Sequence, residues 1–147
     1  VIVLPILENE RVVMAKVFRK ILGGAVWELP AGGVQKNENP EEAALRELRE
    51  ETKISITDIS RLIPENTLVV SPNRLPMFPS IYSVNVSENE FDSRSMHDDE
   101  VESVDCFSIN TIKAMMSSGE IVTSITLAIL GRFILGQDFQ TVNSSAI

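Results

Sequence analysis

Three glutamates stand three and four residues apart in one short segment of the chain, where they could bind a cation together. Glu47, Glu50 and Glu51 lie in a segment with the apolar spacing of a helix, so their carboxylates share one helix face. Like charges at this distance repel one another, and a sequence selected for helix stability would alternate them with Lys. A hard cation removes the conflict, because Mg²⁺ binds carboxylate oxygens and keeps waters for a phosphate substrate. The spacing is therefore compatible with a Mg²⁺ site for phosphate chemistry.

Two neighbouring features could support such a site. Arg46 precedes Glu50 by four residues and can orient its carboxylate through a charge-assisted hydrogen bond. The Gly-containing loop before the helix can bring backbone carbonyls to the same ion. The alternative for the run Arg46–Glu51 is a solvated helix face held by pairs within the helix. The run by itself does not distinguish the two interpretations.

The wider segment from Gly32 to Ile54 resembles the Nudix box, G-x5-E-x7-R-E-U-x-E-E-x-G-U, in which U is an aliphatic residue. The matching positions are Gly32, Glu38, Arg46, Glu47, Leu48, Glu50, Glu51 and Ile54. One position departs, because Lys53 stands where the family has Gly, a residue that often adopts a left-handed conformation at a helix end. The resemblance implies a Nudix fold and Mg²⁺-dependent hydrolysis of a nucleoside diphosphate linked to another group.

The same resemblance implies a role for each matching residue. Glu47 and Glu51 become the principal metal ligands, and Glu50 is a further ligand or the base that positions the attacking water. Mg²⁺, or Mn²⁺ in its place, would polarise the phosphoryl oxygens and lower the pKa of that water. The residues expected to be structural, tying the loop to the helix, are Gly32, Glu38 and Arg46.

Residues before the box resemble the ADP-ribose and nucleoside-diphosphate-sugar pyrophosphatases. Arg19, followed by the run Trp27–Gly32, is similar to their "(Q)xR … WExPAG" pattern. The resemblance implies that the carbonyl of Ala31 is a metal ligand and that Arg19, Trp27 and Glu28 bind substrate, with Arg offering a bidentate fork to phosphate. Arg19 could instead be a surface residue, and Trp27 could equally pack in the core.

Beyond the box, Pro72 lies slightly farther along than the proline of ADP-ribose enzymes, and Arg74 is expected to contact a phosphate or a sugar unless it is merely exposed. The leading prediction is hydrolysis of ADP-ribose or a related nucleoside diphosphate sugar to a nucleoside monophosphate and a sugar phosphate. The enzymatic alternative is a Nudix hydrolase of dinucleoside polyphosphates or modified nucleoside triphosphates. The other alternative is a catalytically silent nucleotide sensor, which the three intact glutamates of the box disfavour.

A second acidic segment, His97-Asp98-Asp99-Glu100, precedes a predicted strand. The family often places a further ligand or the general base in such a loop, and a carboxylate near a bound metal can accept a proton from water. Glu100 is the first choice for both roles, with Asp99 and Glu102 next. An exposed acidic turn is the alternative. No nucleophile motif accompanies His97, so Ser-His-Asp chemistry is disfavoured.

Turn signals and periodicity predict the elements that position these residues. The helix that carries the glutamates is expected from a cap at Asn39 to about Thr52, with Pro40 in its first position and Glu42 completing a capping box. Strands are predicted over Val1–Leu7, Val12–Phe18, Ala25–Leu29, Thr67–Val70, Ser80–Val86 and Val101–Phe107. Further predicted segments are a polar loop Ser87–Asp99 and helices from Ser108 or Asn110 to Ser117 and over Val122–Leu135. This order indicates an α+β fold, and the resemblance implies a mixed β-sheet sandwiched between helices (α/β/α).

Composition limits the classes of partner. The length of 147 residues fits one domain over residues 1–147, and the net charge of -8 argues against a nucleic-acid polymer, which needs clustered cations. No segment reaches roughly 18 consecutive apolar residues, so no membrane association is expected. The single Cys106 excludes an internal disulfide and favours a cytoplasmic setting. A homodimer stays open beside a monomer, as does a longer native N-terminus, because the chain begins in a strand without Met.

Overall fold

The computed structural model describes residues 1–94 and 101–144, with the side chains of the last helix described as far as residue 136. Strands and helices alternate irregularly along these residues. The strands are β1 (Ile2–Leu7), β2 (Arg11–Arg19), β3 (Gly24–Glu28), β4 (Ile63–Glu65), β5 (Ile81–Asn85) and β6 (Val101–Phe107). The helices are α1 (Pro40–Thr52), α2 (Glu88–Asp92), α3 (Ile109–Ser118) and α4 (Ser124–Ser144). None of the described helices is long and apolar enough to span a lipid bilayer.

The strands form one mixed sheet with β2 as its longest member. Strand β2 pairs antiparallel with β1, β3 and β6, whereas β1 and β5 run parallel and β4 closes the far edge against β5. Strands β1 and β3 contact different stretches of β2, because Ile6 lies opposite Val12 and Glu28 lies opposite Ala15. The sheet therefore has both strand directions, as the Nudix fold requires.

Alternating side chains of the strands bury both faces of the sheet. On one face, residues such as Val3 and Val13 pack with Ala44 and Leu48 of α1. The residues of the other face include Ile2, Leu4, Val12 and Met14, and they pack with Ile112, Ile129 and Leu130 of α3 and α4. The sheet thus lies between helices, which confirms the predicted α/β/α arrangement.

Helix α1 begins and ends at the residues that its local sequence predicts. The Asn39 side chain accepts a hydrogen bond from the Glu42 N–H at 2.8 Å, and the Glu42 carboxylate accepts one from the Asn39 N–H at 2.9 Å. Pro40 occupies the first turn, where its missing N–H costs no hydrogen bond. At the other end, Lys53 adopts a left-handed conformation with φ 59° and ψ 9°, and its N–H bonds to the carbonyl of Arg49. The helix that carries the three glutamates is therefore fixed by caps at both ends.

The prediction of a strand over Thr67–Val70 is wrong. The neighbouring segment β4 takes the edge of β5 instead, with Pro64 opposite Tyr82. The Thr67 side chain bonds to the carbonyl of Pro79 at 2.7 Å, within a loop that connects β4 to β5. Its β-branched residues favoured a strand locally, but strand formation depends on a free partner edge.

The prediction of a polar loop over Ser87–Asp99 is wrong in its first part, and residues 95–99 lie outside the described residues. Ser87 caps α2 by accepting a hydrogen bond from the Glu90 N–H, and the Glu90 carboxylate accepts one from the Ser87 N–H at 2.9 Å. Phe91 is buried and anchors the turn. Helix α4 also differs from its prediction, because it begins at Ser124 and continues to Ser144.

Candidate active site

A cleft of about 360 Å³ lies beside the second half of α1. Its walls come from β2, from α1 and the residue after it, and from the start of β6. The lining residues are Val17, Arg19, Glu47, Glu50, Glu51, Lys53 and Val101. The fold therefore brings the three predicted carboxylates together with Arg19, which lies about thirty residues earlier in the chain.

Glu47 lies directly against the loop that precedes α1. A β-carbon built on Gly32 would overlap the carboxyl group of Glu47, so residue 32 must lack a side chain for this packing. Glu47 is only 8% exposed. The first and the central positions of the Nudix box thus meet in space, which explains why a glycine stands there.

Arg46 holds the glutamates and the preceding loop in one network. Its Nε and Nη2 donate to the two carboxylate oxygens of Glu38 at 3.2 and 2.7 Å, and Nη2 also donates to the carbonyl of Gly33 at 2.8 Å. Its Nη1 donates to Glu47 at 2.7 Å and to Glu50 at 3.0 Å. The hydrogen bond between Arg46 and Glu38 lowers the pKa of Glu38 and raises that of Arg46. One guanidinium therefore ties the loop to the helix and orients two of the candidate ligands.

Glu51 is the carboxylate with the most perturbed proton affinity in this cleft. Its pKa is raised from 4.5 to about 7, mainly because the carboxyl group is buried, and the charges of Glu47 and Glu28 contribute to the rise. A hydrogen bond from the N–H of Ala31, at 3.1 Å, and the charge of Arg19 oppose this increase. The rise reflects mainly burial, with repulsion by Glu47 and Glu28 added to it, and a bound cation would offset both effects.

Arg19 and Glu28 form a bidentate ion pair across β2 and β3. Nε of Arg19 donates to one carboxylate oxygen at 3.1 Å and Nη2 to the other at 2.5 Å. Glu28 is 8% exposed, whereas the Arg19 side chain is 43% exposed and lines the cleft. This hydrogen bond is the main cause of the raised pKa of Arg19. Two of the residues predicted to bind substrate thus contact each other, and Glu28 holds the guanidinium at the cleft.

Trp27 and Arg74 lie away from this cleft. Successive strand residues face opposite sides, so Trp27 packs on the α3–α4 side of the sheet, where its ring meets Phe107 edge-on at 4.7 Å. Trp27 therefore has the core packing that its sequence allowed. Arg74 is exposed in the turn Ser71–Leu75. A substrate contact for either residue stays a prediction.

The late acidic residues are only partly described. Glu100, Asp99 and His97 lie outside the described residues. Glu102 is on β6, where its carboxylate lies 3.8 Å from the ammonium of Lys16. The choice of general base among these acids therefore stays a prediction.

Lys53 also lines the cleft, although the sequence analysis predicts no role for it in the site. It is half-buried and lines the cleft beside Glu50 and Glu51. The sequence feature that indicates this position is its place directly after α1, three residues beyond Glu50.

The residues of this cleft fit a hard divalent cation by their chemistry. Glu47, Glu50 and Glu51 supply carboxylate oxygens, which Mg²⁺ prefers. Ala31, whose carbonyl the resemblance implies as a ligand, contacts Glu51 through its N–H and lines a different cavity. Within the described residues, no group of three or more His, Cys, Asp or Glu side chains is already arranged around a common point. Arg46 instead binds Glu47 and Glu50, and the N–H of Ala31 binds Glu51. Each of these hydrogen bonds uses one carboxylate oxygen, so each glutamate keeps a second oxygen that could coordinate a metal ion.

Gly32 leaves room for Glu47, and Arg46 orients both Glu47 and Glu50. These contacts lie beside a mixed sheet packed between helices, and together they indicate the class of protein. The chain belongs to the NUDIX domain family, whose model matches residues 1–123. Helix α4 begins directly after the matched residues.

Three relatives show which members of the family are similar. The chain is 40% identical over 62 residues to an ADP-ribose pyrophosphatase of Bacillus subtilis (strain 168), covering 42% of this chain and 34% of that protein. It is 46% identical over 54 residues to an ADP-sugar pyrophosphatase of Mus musculus, covering 34% of this chain and 25% of that protein. It is 63% identical over 30 residues to an RNA pyrophosphohydrolase of Gluconacetobacter diazotrophicus, covering 20% of this chain and 18% of that protein. The chain thus spans about a third or less of the length of these curated relatives.

Proposed function

We propose that the chain is a Nudix hydrolase that cleaves the diphosphate linkage of ADP-ribose or a related nucleoside diphosphate sugar. The products would be a nucleoside monophosphate and a sugar phosphate. The observation that carries this proposal is the cleft in which Glu47, Glu50 and Glu51 face the guanidinium of Arg19. Carboxylates that bind metal and an arginine that binds phosphate are the two parts that hydrolysis of a diphosphate requires.

Two observations support a sugar nucleotide as substrate. The matches to the ADP-ribose and ADP-sugar pyrophosphatases extend over 62 and 54 residues, whereas the match to the RNA pyrophosphohydrolase covers 30. Gly32–Ile54 alone accounts for 23 residues, so the two longer matches extend well beyond the motif. In addition, the Arg19–Glu28 pair is formed by residues of the flanking pattern that resembles this subfamily.

Mg²⁺, or Mn²⁺ in its place, is the cofactor in this proposal. Glu47, Glu51 and the carbonyl of Ala31 would hold it, with Glu50 and Glu100 as further ligands. Bound there, the ion would polarise the phosphoryl oxygens and neutralise charge that develops on them. Burial and the charges of neighbouring acids raise the pKa of Glu51, and a cation bound there would offset both effects.

Side chains of the protein would position the substrate and accept a proton from the attacking water. Arg19 uses Nε and Nη2 for Glu28 and has further N–H groups for a phosphate oxygen. Glu50 has a half-exposed side chain oriented by Arg46, so water can reach its carboxylate. We assign Glu50 or Glu100 as the group that accepts the proton of the attacking water.

Hydrolysis of dinucleoside polyphosphates or modified nucleoside triphosphates is the second candidate. The 63% identity over 30 residues to an RNA pyrophosphohydrolase leaves this candidate open, because that relative is not named for a sugar nucleotide. A silent sensor is disfavoured, since a pure binding module has little need for three acids in one cleft. We further propose a single cytoplasmic domain over residues 1–147 that binds neither nucleic-acid polymers nor membranes, as a monomer or a homodimer.

A substrate panel tests the proposal. Purified protein with Mg²⁺ is incubated with ADP-ribose, other nucleoside diphosphate sugars, dinucleoside polyphosphates and nucleoside triphosphates, and the products are identified by mass. We expect ADP-ribose or a sugar nucleotide to give AMP or another nucleoside monophosphate. Cleavage of triphosphates alone would contradict the substrate class. Nucleotide binding without turnover of any compound would support the sensor instead.

A further inference from the structure

The end of α1 holds a lysine in a conformation that suits glycine. Lys53 has φ 59° and ψ 9°, and it occupies the position where the Nudix box has Gly. A side chain with a β-carbon disfavours this left-handed region, and glycine adopts it freely. Glycine would therefore relieve backbone strain here, whereas Lys53 places a charged side chain at a position where the family has none.

The location of Lys53 brings its side chain to the candidate active site. The residue is half-buried and lines the same cleft as Glu47, Glu50, Glu51 and Arg19. Its flexible stem carries a compact positive charge with three donors, which binds phosphate as a point charge. A second cation thus stands in the cleft, contributed by α1 where Arg19 comes from β2.

The charges of the cleft make this second cation useful for an anionic substrate. Three carboxylates and two cations line it, a formal balance of -1 when all are ionised. A diphosphate that enters this cleft meets carboxylates that repel it. Each fixed cation in the cleft raises the local concentration of the anion and offsets that repulsion.

We propose that Lys53 binds a phosphate group of the substrate and sets the affinity of the cleft for it, an inference that rests on the proposed function. Lys53 takes no part in the bond cleavage itself. Its loss should therefore act on substrate binding, with the rate of the chemical step nearly unchanged. Because its charge opposes a cation in the cleft, its loss should not weaken metal binding.

Two variants separate charge from backbone strain. Lys53→Gly removes the ammonium and relieves the left-handed strain, whereas Lys53→Arg keeps a cation in the same conformation. The binding probe is inorganic pyrophosphate with Mg²⁺, measured by isothermal titration calorimetry. We expect Lys53→Gly to weaken pyrophosphate binding and to raise KM by about three- to tenfold, with kcat within about twofold of wild type. The pyrophosphate affinity and the KM of Lys53→Arg should stay within about twofold of wild type. The melting temperature of Lys53→Gly should be unchanged or higher.

Two control variants isolate the effect. Asn9→Gly relieves a comparable positive φ of 57° outside the lining of the cleft. Arg49→Gln removes a positive charge from the same helix, on a side that lines a different concavity. We expect both controls to bind pyrophosphate as wild type does.

Several outcomes would overturn the inference. Lys53→Gly that binds pyrophosphate as tightly as wild type would show that the ammonium contacts no phosphate. Lys53→Gly that weakens Mn²⁺ binding, measured by electron paramagnetic resonance, would show that Lys53 acts through the glutamates. Wild-type protein that fails to bind pyrophosphate would also contradict it. If wild type turns over no compound but Lys53→Gly still binds pyrophosphate more weakly than wild type, the proposed hydrolase activity is rejected. Lys53 is then supported as a phosphate-binding residue.

Discussion

The carboxyl group of Glu47 fills the space beside Gly32 that a β-carbon would occupy. These residues lie fifteen positions apart in the chain, on the loop and on helix α1. Their contact explains why the motif pairs a glycine with a glutamate at this spacing. It also makes the position of a candidate metal ligand depend on the absence of a side chain elsewhere.

Gly32→Ala should therefore displace Glu47 and weaken metal binding. We expect at least a tenfold loss of Mn²⁺ affinity, measured by electron paramagnetic resonance, because a misplaced ligand no longer reaches the ion. A lower melting temperature should accompany it, because the added methyl overlaps a carboxylate that is 8% exposed. Gly33→Ala is the matched control, since a β-carbon there meets nothing within 4 Å. Equal Mn²⁺ affinity in Gly32→Ala and Gly33→Ala would refute this account of the contact.

Arg46→Lys should loosen the loop and both glutamates together. The guanidinium makes five hydrogen bonds to four groups, and a lysine ammonium cannot reproduce that fork. We expect the free energy of unfolding in urea to fall by about 1–3 kcal/mol, because the Arg46 side chain is largely shielded from water. Arg49→Lys, on the same helix, should change the free energy of unfolding by less than about 0.5 kcal/mol. A variant as stable as wild type would mean that the network adds little to folding.

Arg19→Ala should reduce the affinity for the substrate. We expect KM to rise about tenfold or more, because a charged contact to a phosphate oxygen is lost. Glu28→Gln should raise KM by less, since the guanidinium stays in place but loses its charged partner. Lys20→Ala, in the exposed turn after β2, is the control and should behave as wild type. Arg19→Ala with an unchanged KM would show that Arg19 is a surface arginine paired with Glu28.

The ion pair of Arg61 and Glu90 predicts a pH dependence of stability. Arg61 donates to the two carboxylate oxygens of Glu90 at 2.5 and 3.0 Å, and this pair is the main reason that the pKa of Glu90 falls from 4.5 to about 2. Because the folded pKa lies below the unfolded one, the stabilisation is present above pH 4.5 and is lost as pH falls to about 2.

Glu90→Gln should therefore cost about 1 kcal/mol at pH 7, because the pair is only partly shielded from water. The free energies of unfolding of wild type and variant should converge as pH falls from 4.5 towards 2. Urea titrations across this range measure the difference. A difference that stays constant with pH would contradict the assignment of the effect to the charge of Glu90.

Local sequence was sufficient for α1 and insufficient for the loop between β4 and β5. Asn39 and Glu42 form a capping box that depends on four adjacent residues, so its sequence signal is complete. The strand predicted over Thr67–Val70 depended on a partner edge that β4 occupies, and no local pattern shows that. Ser87 and Glu90 form a second capping box whose signal is present in the sequence, although the polar composition of Ser87–Asp99 favours a loop.

The candidate site also has features that local sequence predicts and features that it does not. Helical spacing was enough to place the three glutamates on one face, and Arg46 beside Glu50 follows from it. The contact of Arg19 with Glu28 required the register of β2 and β3, in which Val17 lies opposite Val26. Lys53 required the path of the chain after α1. Pairings between distant segments therefore account for what the sequence alone could not predict.

The most direct test of the central claim compares wild type with Glu51→Gln on ADP-ribose in the presence of Mg²⁺. The amide keeps the shape of the side chain and can still accept the N–H of Ala31, so the melting temperature should not fall. Glu120→Gln, on an exposed residue, is the matched control. We predict that kcat of Glu51→Gln falls at least about 100-fold and that Mn²⁺ binding weakens, while the control turns over as wild type does. Full turnover by Glu51→Gln would contradict the assignment of these glutamates as the catalytic metal site.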